Sequence, residues 1–388
     1  MYWRLQEDVL SSHDIERLVT FSRGTKRFTQ FDQVREFEEA FSRWQGCRHS
    51  VFVNSGSSAN LLLVNALKEL RGWSDGDEIL VPAVTWPTTV TPVIQCGLKP
   101  VFVDVNLTDL SFAYDEIPRL VSDRTRGIFI AHLLGFPANV ERIRAMVKSR
   151  DITLFEDACE SQGATRNGQK VGSLSTAGTF SFYWGHHMTT IEGGMVCTDD
   201  DDLFKLLVLK RSHGLARELP ESEHESVKAL HPGMDFRFLF LTDGFNFRNT
   251  EFGAVLGLTQ LERVDEFIRI RNRNYREFLS ICRQCDDLLV LDVDGLSSFT
   301  LPFIFRTRQV KERVAAAIHA AGIESRPIIS GNLLAQPFLQ SYRRPDSSLV
   351  NAELLHHNAF YIGNNQFVNL DRLERLAELL LGLFGTNS

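Results

Sequence analysis

The 388-residue sequence has no uninterrupted apolar run of about 18 residues, so it offers no candidate for a membrane-spanning helix. Its opening residues, MYWRLQEDVLSSHD, contain neither a basic n-region nor an apolar h-region, and a cytoplasmic protein is expected. Positive charge is also in short supply: the net charge is -7 and no basic block occurs, which removes the footprint of a nucleic-acid binder. No G-x-G-x-x-G and no P-loop lysine is present, so dinucleotide and nucleoside-triphosphate sites lack their fingerprints. The six cysteines (Cys47, Cys96, Cys159, Cys197, Cys282 and Cys285) are scattered, and reduced thiols are expected. The single C-x-x-C, Cys282 to Cys285, reads as the end of a helix, and no second pair completes a metal ligand set. Internal repeats are absent as well.

What is present is an ordinary globular composition, 43% hydrophobic and 23% charged, in a chain long enough for a large and a small domain. The first fifty residues read as helical, with Ser12 as an N-cap and apolar residues at helical spacing from Phe31 to Trp44. They serve equally as an arm over a partner subunit or as a layer on their own domain. From Val51 onward short apolar runs alternate with amphipathic helices: 51–53, 79–81, 100–105, 127–131, 152–155, 178–182 and 195–198. Near-continuous apolar strands between helices imply a mostly parallel sheet covered on both faces. A long helix is expected over 251–285. After it come a strand (298–305), a helix (309–321), a strand (323–329) and a final helix beyond Asn369. The expected architecture is therefore α/β, with a large domain in residues 1–250 and a connecting helix plus small α+β domain in 251–388.

Ligands of such sheets sit at the carboxyl ends of the strands. The first run leads into Ser55-Gly56-Ser57-Ser58-Ala59-Asn60 and a helix, which suits a phosphate but is also an ordinary N-cap. Trp86, in the loop after the second run, is either a packing residue or a ring that stacks on a heteroaromatic ligand. Asp157 and Glu160 follow the fifth run. A carboxylate there is costly unless paired or functional; a ring nitrogen and a helix N-terminus are the competing partners for Asp157. The sixth run ends at Ser181 and opens SFYWGHHMTTIEGG. The pair His186-His187 lacks the further ligands a metal would need. Beyond residue 200, His213 and Arg217 lie in a basic patch, and Asn246 in a Gly/Asn-rich loop.

Together S-G-S-S-A-N, P-A-V-T-W, E-D-A-C-E-S-x-G-A, S-F-Y…E-G-G and G-F-N-F-R, in this order over essentially the whole chain, resemble the DegT/DnrJ/StrS family of pyridoxal-phosphate-dependent sugar aminotransferases. The resemblance implies a fold type I aminotransferase, working as a homodimer with shared active sites. It assigns cofactor-phosphate contacts to Gly56, Ser57 and Ser181, the cofactor ring to Trp86, the pyridine nitrogen to Asp157 and the ring hydroxyl to Glu160. Asn246 would reach the cofactor of the other subunit.

One residue departs from the family pattern. Where the family has the lysine that anchors the cofactor, this chain has His186, and an imidazole cannot form that imine. Histidine is similar to the 3-dehydratase branch, and S-H-G and E-S-R-P-I-I-S-G-N resemble members acting on GDP-4-keto-6-deoxy-D-mannose in colitose synthesis for lipopolysaccharide O-antigen. A related CDP-sugar dehydratase carries an iron–sulfur cluster with a C-x-C element; no C-x-C occurs here, so no cluster is expected. The implied chemistry uses cofactor in its amine form (PMP), with L-glutamate as amino donor. His186 acts as the base, the C3 hydroxyl leaves, and ammonia is released. His187, His213, Arg217 and Arg326 are substrate-side candidates. An ordinary sugar aminotransferase, or a homologue that binds cofactor without catalysis, is the alternative.

Overall fold

A computed structural model describes residues 2–344 and 348–384. In chain order it contains α1 (Ser12–Gly24), α2 (Asp32–Gln45), β1 (His49–Val53), α3 (Gly56–Leu70), β2 (Glu78–Pro82), α4 (Thr91–Gln95), β3 (Lys99–Val103), α5 (Ile117–Leu120), β4 (Thr125–Ala131), α6 (Val140–Val147) and β5 (Thr153–Asp157). A hairpin of β6 (Thr165–Arg166) and β7 (Gln169–Lys170) precedes β8 (Ala177–Ser181), β9 (Gly194–Thr198), α7 (Asp201–Arg211), α8 (Glu221–Leu230), α9 (Glu251–Leu261) and α10 (Val264–Cys282). The remainder holds β10 (Leu288–Leu289), β11 (Thr300–Phe305), α11 (Arg308–Ala320), β12 (Ser325–Pro327), α12 (Val350–Asn358), β13 (Ala359–Gly363) and α13 (Leu370–Phe384).

Seven strands form one sheet in the order β1-β9-β8-β5-β4-β2-β3. The pairs from β3 to β8 are parallel, and only β9 runs against both of its neighbours. Alternate residues feed two cores. Val51, Val53, Ile79, Val81 and Phe129 pack under α3 and α7, while Phe52, Leu80, Ile128 and Ile130 face α2, α6 and α9. Burial on both faces is why these strands read as continuous apolar runs. Their carboxyl ends share one edge, which carries the loops 54–57, 83–89, 132–135, 158–161 and 182–193.

The small sheet runs β10-β11-β13-β12 and is antiparallel throughout. Its central β13 and the preceding α12 were not among the expected elements, because Ala359–Gly363 is a short apolar run behind His-His-Asn without turn signals. The strand expected over 323–329 is limited to Ser325–Pro327: Ile329 takes φ 46° and Gly331 N–H turns back to the Ile328 carbonyl. The helix expected over 251–285 is two helices. At the junction Arg263 has φ -119°, and its guanidinium grips the buried Asp14 carboxylate at 2.6 and 2.7 Å.

The leading segment lies on its own chain. Ser11, not Ser12, is the N-cap of α1, in a capping box with Asp14. Glu251 caps α2 from α9, accepting from the N–H groups of Phe31, Gln33 and Val34 at 2.7, 2.9 and 3.1 Å. Ahead of α1, the buried Trp3 donates its indole N–H to Gly363 and exchanges backbone bonds with Gly322 and Glu324 of the small domain. Among the described residues no helix is long and apolar enough to cross a membrane.

Candidate active site

A cavity of about 430 Å³ opens where the strand ends meet the small domain. At one end lies the start of α3. Ser55, extended at φ -166° and ψ 160°, caps it by accepting from Ser58 N–H at 3.0 Å. The N–H groups of Gly56 and Ser57 belong to the first turn, have no intrahelical acceptor, and are left for an anion with the helix dipole behind them. Ser181 is seated directly above: a Cβ on Gly56 would lie 2.6 Å from Ser181 Cβ. Gly194, paired with Ser181 across the two strands, is equally constrained, since its Cβ would fall 2.3 Å from the Ser55 carbonyl oxygen. Glycine at both positions lets three chain segments close into one small polar cup.

Deeper in the cavity Asp157 ends β5. Its Oδ2 accepts from Asn60 Nδ2 at 2.9 Å and Thr89 Oγ1 at 2.8 Å, and its Oδ1 from Cys159 N–H at 3.1 Å. Glu160 accepts from Leu134 N–H at 2.9 Å. Burial pushes its carboxyl up to about 8; the Leu134 bond opposes the rise and the Asp157 charge adds to it. Trp86, more than half exposed, presents its ring at the mouth. Arg326 and Tyr361, partners in the β12–β13 register, line the small-domain wall.

The β8–β9 pairing ends at Ser181 and Gly194, so 182–193 is the loop between two central strands. Phe182 N–H to Gly193 and Thr190 N–H to Phe182 hold its base. His186 rides on this loop, half-buried against the cavity, its ring stacked on Phe299 at 5.2 Å and 26°. Its Nδ1 is buried and has no protein partner. Burial, then the nearby Arg271 charge, lower its pKa to about 4, so the imidazole is uncharged at neutral pH. No lysine lines the cavity among the described residues. Lys170 sits over the Trp44 ring and Lys205 pairs with Glu223 at 2.7 Å, both elsewhere.

The fold thus brings Gly56, Ser57, Trp86, Asp157, Glu160, Ser181, His186 and Arg326 to one cavity. Four other candidates stand outside its lining. His187 is fully buried and bonds through Nε2 to the Ser297 hydroxyl and carbonyl at 3.1 and 3.2 Å. Its ring also reaches Phe299, at 5.9 Å and 32°, but it lies in the interior and not on the cavity wall. His213 and Asn246 are exposed on one patch, joined by the Ser212–Asn246 bridge and by His213 N–H to Phe245 at 2.8 Å. Arg217 is exposed and donates to the Arg237 carbonyl at 3.2 Å. Sequence reasoning missed Asn60, Thr89, Phe299 and Tyr361. Asn60 ends the S-G-S-S-A-N motif and Thr89 lies three residues beyond P-A-V-T-W, in the same loop as Trp86; Phe299 and Tyr361 carried no local signal.

An anion cup at a helix start, a fixed carboxylate deeper in the cavity and an aromatic face at its mouth fit a phosphorylated heteroaromatic ring. Residues 10–380 match the DegT/DnrJ/EryC1/StrS aminotransferase family. The chain is similar to GDP-4-keto-6-deoxy-D-mannose 3-dehydratase of Escherichia coli O55:H7, with 35% identity over 364 residues, 92% of this chain and 94% of the relative. It superposes on the structure of E. coli GDP-4-keto-6-deoxy-D-mannose-3-dehydratase with bound hydrated PLP at a TM-score of 0.90 and 32% identity, covering 98% of this chain and 99% of that one. A structure of GDP-4-keto-6-deoxymannose-3-dehydratase with a trapped PLP-glutamate geminal diamine gives 0.89 and 32%, covering 97% and 100%. The seven-stranded α/β core with its small antiparallel domain is the fold of these enzymes, and the chain belongs to the DegT/DnrJ/EryC1/StrS aminotransferase family.

Proposed function

We propose that the chain is a pyridoxal-phosphate-dependent nucleotide-sugar 3-dehydratase. It removes the C3 hydroxyl of an NDP-4-keto-6-deoxyhexose, GDP-4-keto-6-deoxy-D-mannose in this reading, to give the 4-keto-3,6-dideoxy sugar. L-Glutamate is the amino donor and ammonia is released. The observation that carries the reading is the cavity wall: it offers the cup, the carboxylate and the aromatic face, but His186 and no lysine among the described residues.

In this assignment Gly56, Ser57 and Ser181 hold the cofactor phosphate, Trp86 covers its ring, Asp157 takes the ring nitrogen and Glu160 the region of the ring hydroxyl. When bound in its amine form, the cofactor supplies an electron sink for breaking the C3–O bond. His186, uncharged at neutral pH, accepts a proton; charged by that step, it donates to the departing hydroxyl. No lysine amine among the described residues of the cavity wall competes with the sugar for the cofactor. Arg326 lies where the substrate would enter from the small domain. The exposed patch of His213 and Asn246 belongs, in a homodimer, to the partner's site. A colitose route follows if GDP-4-keto-6-deoxy-D-mannose is the substrate.

The test incubates the protein with pyridoxal phosphate, glutamate and GDP-4-keto-6-deoxy-D-mannose and follows the product by mass. Loss of the C3 oxygen with ammonia is expected; a stable 4-amino sugar would make the enzyme an aminotransferase, and an unchanged sugar would remove the reading. His186→Asn should abolish dehydration while cofactor still binds. His186→Lys should restore a primary amine, trapping cofactor covalently on borohydride reduction.

A further inference from the structure

Arg271 of α10 is fully buried, and among the described residues its hydrogen bonds go to carbonyl oxygens and not to a carboxylate. Nη1 donates to Phe299, at 3.0 Å, and to Asn364; Nη2 donates to His186 at 3.3 Å; Nε is buried without a partner. An unpaired cation in the interior is costly, and a neutral side chain would pack there at less expense. Burial lowers its pKa to about 9, which still leaves it charged at neutral pH.

The three carbonyls belong to three separate segments, and two of them carry the stacked rings of His186 and Phe299. We infer that Arg271 is a positioning residue for His186: its guanidinium, forked between the carbonyls of His186, Phe299 and Asn364, fixes the imidazole against the Phe299 ring. The network behind it is closed. Asn364 Nδ2 donates to the Arg271 carbonyl at 3.0 Å and to Ser298 Oγ at 2.9 Å, while Asn274 Nδ2 donates to Asn364 Oδ1 at 3.1 Å. A planar fork with several donors can satisfy acceptors in different directions at once, which an ammonium cannot do with the same geometry. The arrangement therefore joins the cavity loop to both the connecting helix and the small domain.

The position has an electrostatic consequence. The ionisable groups that line the cavity with His186 are Tyr183 and Glu192 on its own loop, His132, Asp157, Cys159 and Glu160 at the strand ends, and Arg326 and Tyr361 from the small sheet, with His187 and Arg271 behind the wall. The Arg271 charge opposes protonation of His186 and His187 alike. One side chain thus orients the base and keeps it free to accept a proton.

The test uses ring-15N-histidine protein, with the His186 signal assigned by its loss in His186→Asn. In Arg271→Met, folded by circular dichroism, the His186 midpoint should move up from about 4 toward the ordinary ~6.5. Arg271→Lys keeps the charge and loses the fork: the midpoint should stay low, while kcat for dehydration falls about 10- to 100-fold with KM within about twofold. Should Arg271→Met not fold, Arg271→Lys and Arg271→Gln carry the same comparison. A folded charge-free variant with an unchanged His186 titration, or Arg271→Lys with wild-type kcat, would overturn the inference. The kinetic arm rests on the proposed dehydration; wild-type protein inactive on the sugar would refute that reading, while the resonance arm would still decide the role of Arg271.

Discussion

Asn60 Nδ2 donates to Asp157 Oδ2 at 2.9 Å, so the helix that opens at Gly56 and the carboxylate that ends β5 form one rigid unit. The same amide donates to the Thr88 carbonyl at 2.9 Å, and its Oδ1 accepts from Thr179 Oγ1 at 2.5 Å. Helix α3, strands β5 and β8 and the loop after β2 are thereby registered by one fully buried side chain. Asn60→Ala removes all of these bonds and leaves the Asp157 carboxylate with one donor fewer. A loss of about 1–3 kcal/mol in urea unfolding is expected, together with weaker pyridoxal phosphate binding by absorbance titration. Unchanged cofactor affinity would show that the cup and the carboxylate are held independently.

Gly56 tests the cup from the other side. Gly56→Ala places a Cβ 2.6 Å from Ser181 Cβ, a contact that only a shift of α3 or β8 can relieve. Both carry buried core residues, so overpacking of about 1–3 kcal/mol is expected. Cofactor affinity should fall while His186, farther along the loop that begins after Ser181, keeps its titration. Ala in place of Gly56 with wild-type affinity would mean that the helix start does not hold the phosphate.

Much of this arrangement was legible in the chain. Strands buried on both faces produce unbroken apolar runs, so the sheet and its loop-bearing edge followed from the pattern around Val51, Ile79 and Phe129. The cavity residues at or just after strand ends, Gly56, Trp86, Asp157 and Ser181, were exposed to the same reasoning. Contacts that cross between domains were not. Phe299 and Arg271 meet His186 from segments about a hundred residues away; helical spacing puts Arg271 on the buried stripe of Val264, Phe267, Tyr275 and Phe278, but does not tell what it meets there. The break at Arg263 was hidden likewise: no glycine or proline marks it, and the Asp14 carboxylate that holds the Arg263 side chain there lies near the other end of the chain.

Glu160 gives the protein a pH dependence of definite sign. Burial holds its carboxyl at about 8 against an ordinary 4.5, so between those values the unfolded chain gives up a proton that the folded one keeps. Stability therefore falls as pH rises through this window, the contribution being intact below about 4.5 and lost above about 8. Glu160→Gln removes the titration. The urea midpoint of the cofactor-free wild type, relative to that of Glu160→Gln, should decline between about pH 5 and about pH 8. A difference that stays flat, or grows with pH in favour of the wild type, would contradict a raised carboxyl.

The proposed homodimer makes a prediction that separates it from a self-sufficient chain. His186 lines the cavity of its own chain, whereas Asn246 is exposed outside that cavity and is assigned to the partner's site. A protein carrying His186→Asn and one carrying Asn246→Ala should each be strongly impaired when pure. Mixed and allowed to exchange subunits, half of the dimers are hybrids. Each hybrid has one site bearing both substitutions and one bearing neither, so about a quarter of wild-type activity should return. The wild-type site combines His186 from one chain with Asn246 from the other, an outcome impossible if both residues serve the cavity of a single chain. Recovery of activity on mixing, measured as ammonia release against each pure variant, therefore reports a shared site directly. If activity stays at the average of the two variants although hybrids are seen by native mass spectrometry, Asn246 acts within its own chain or not at all.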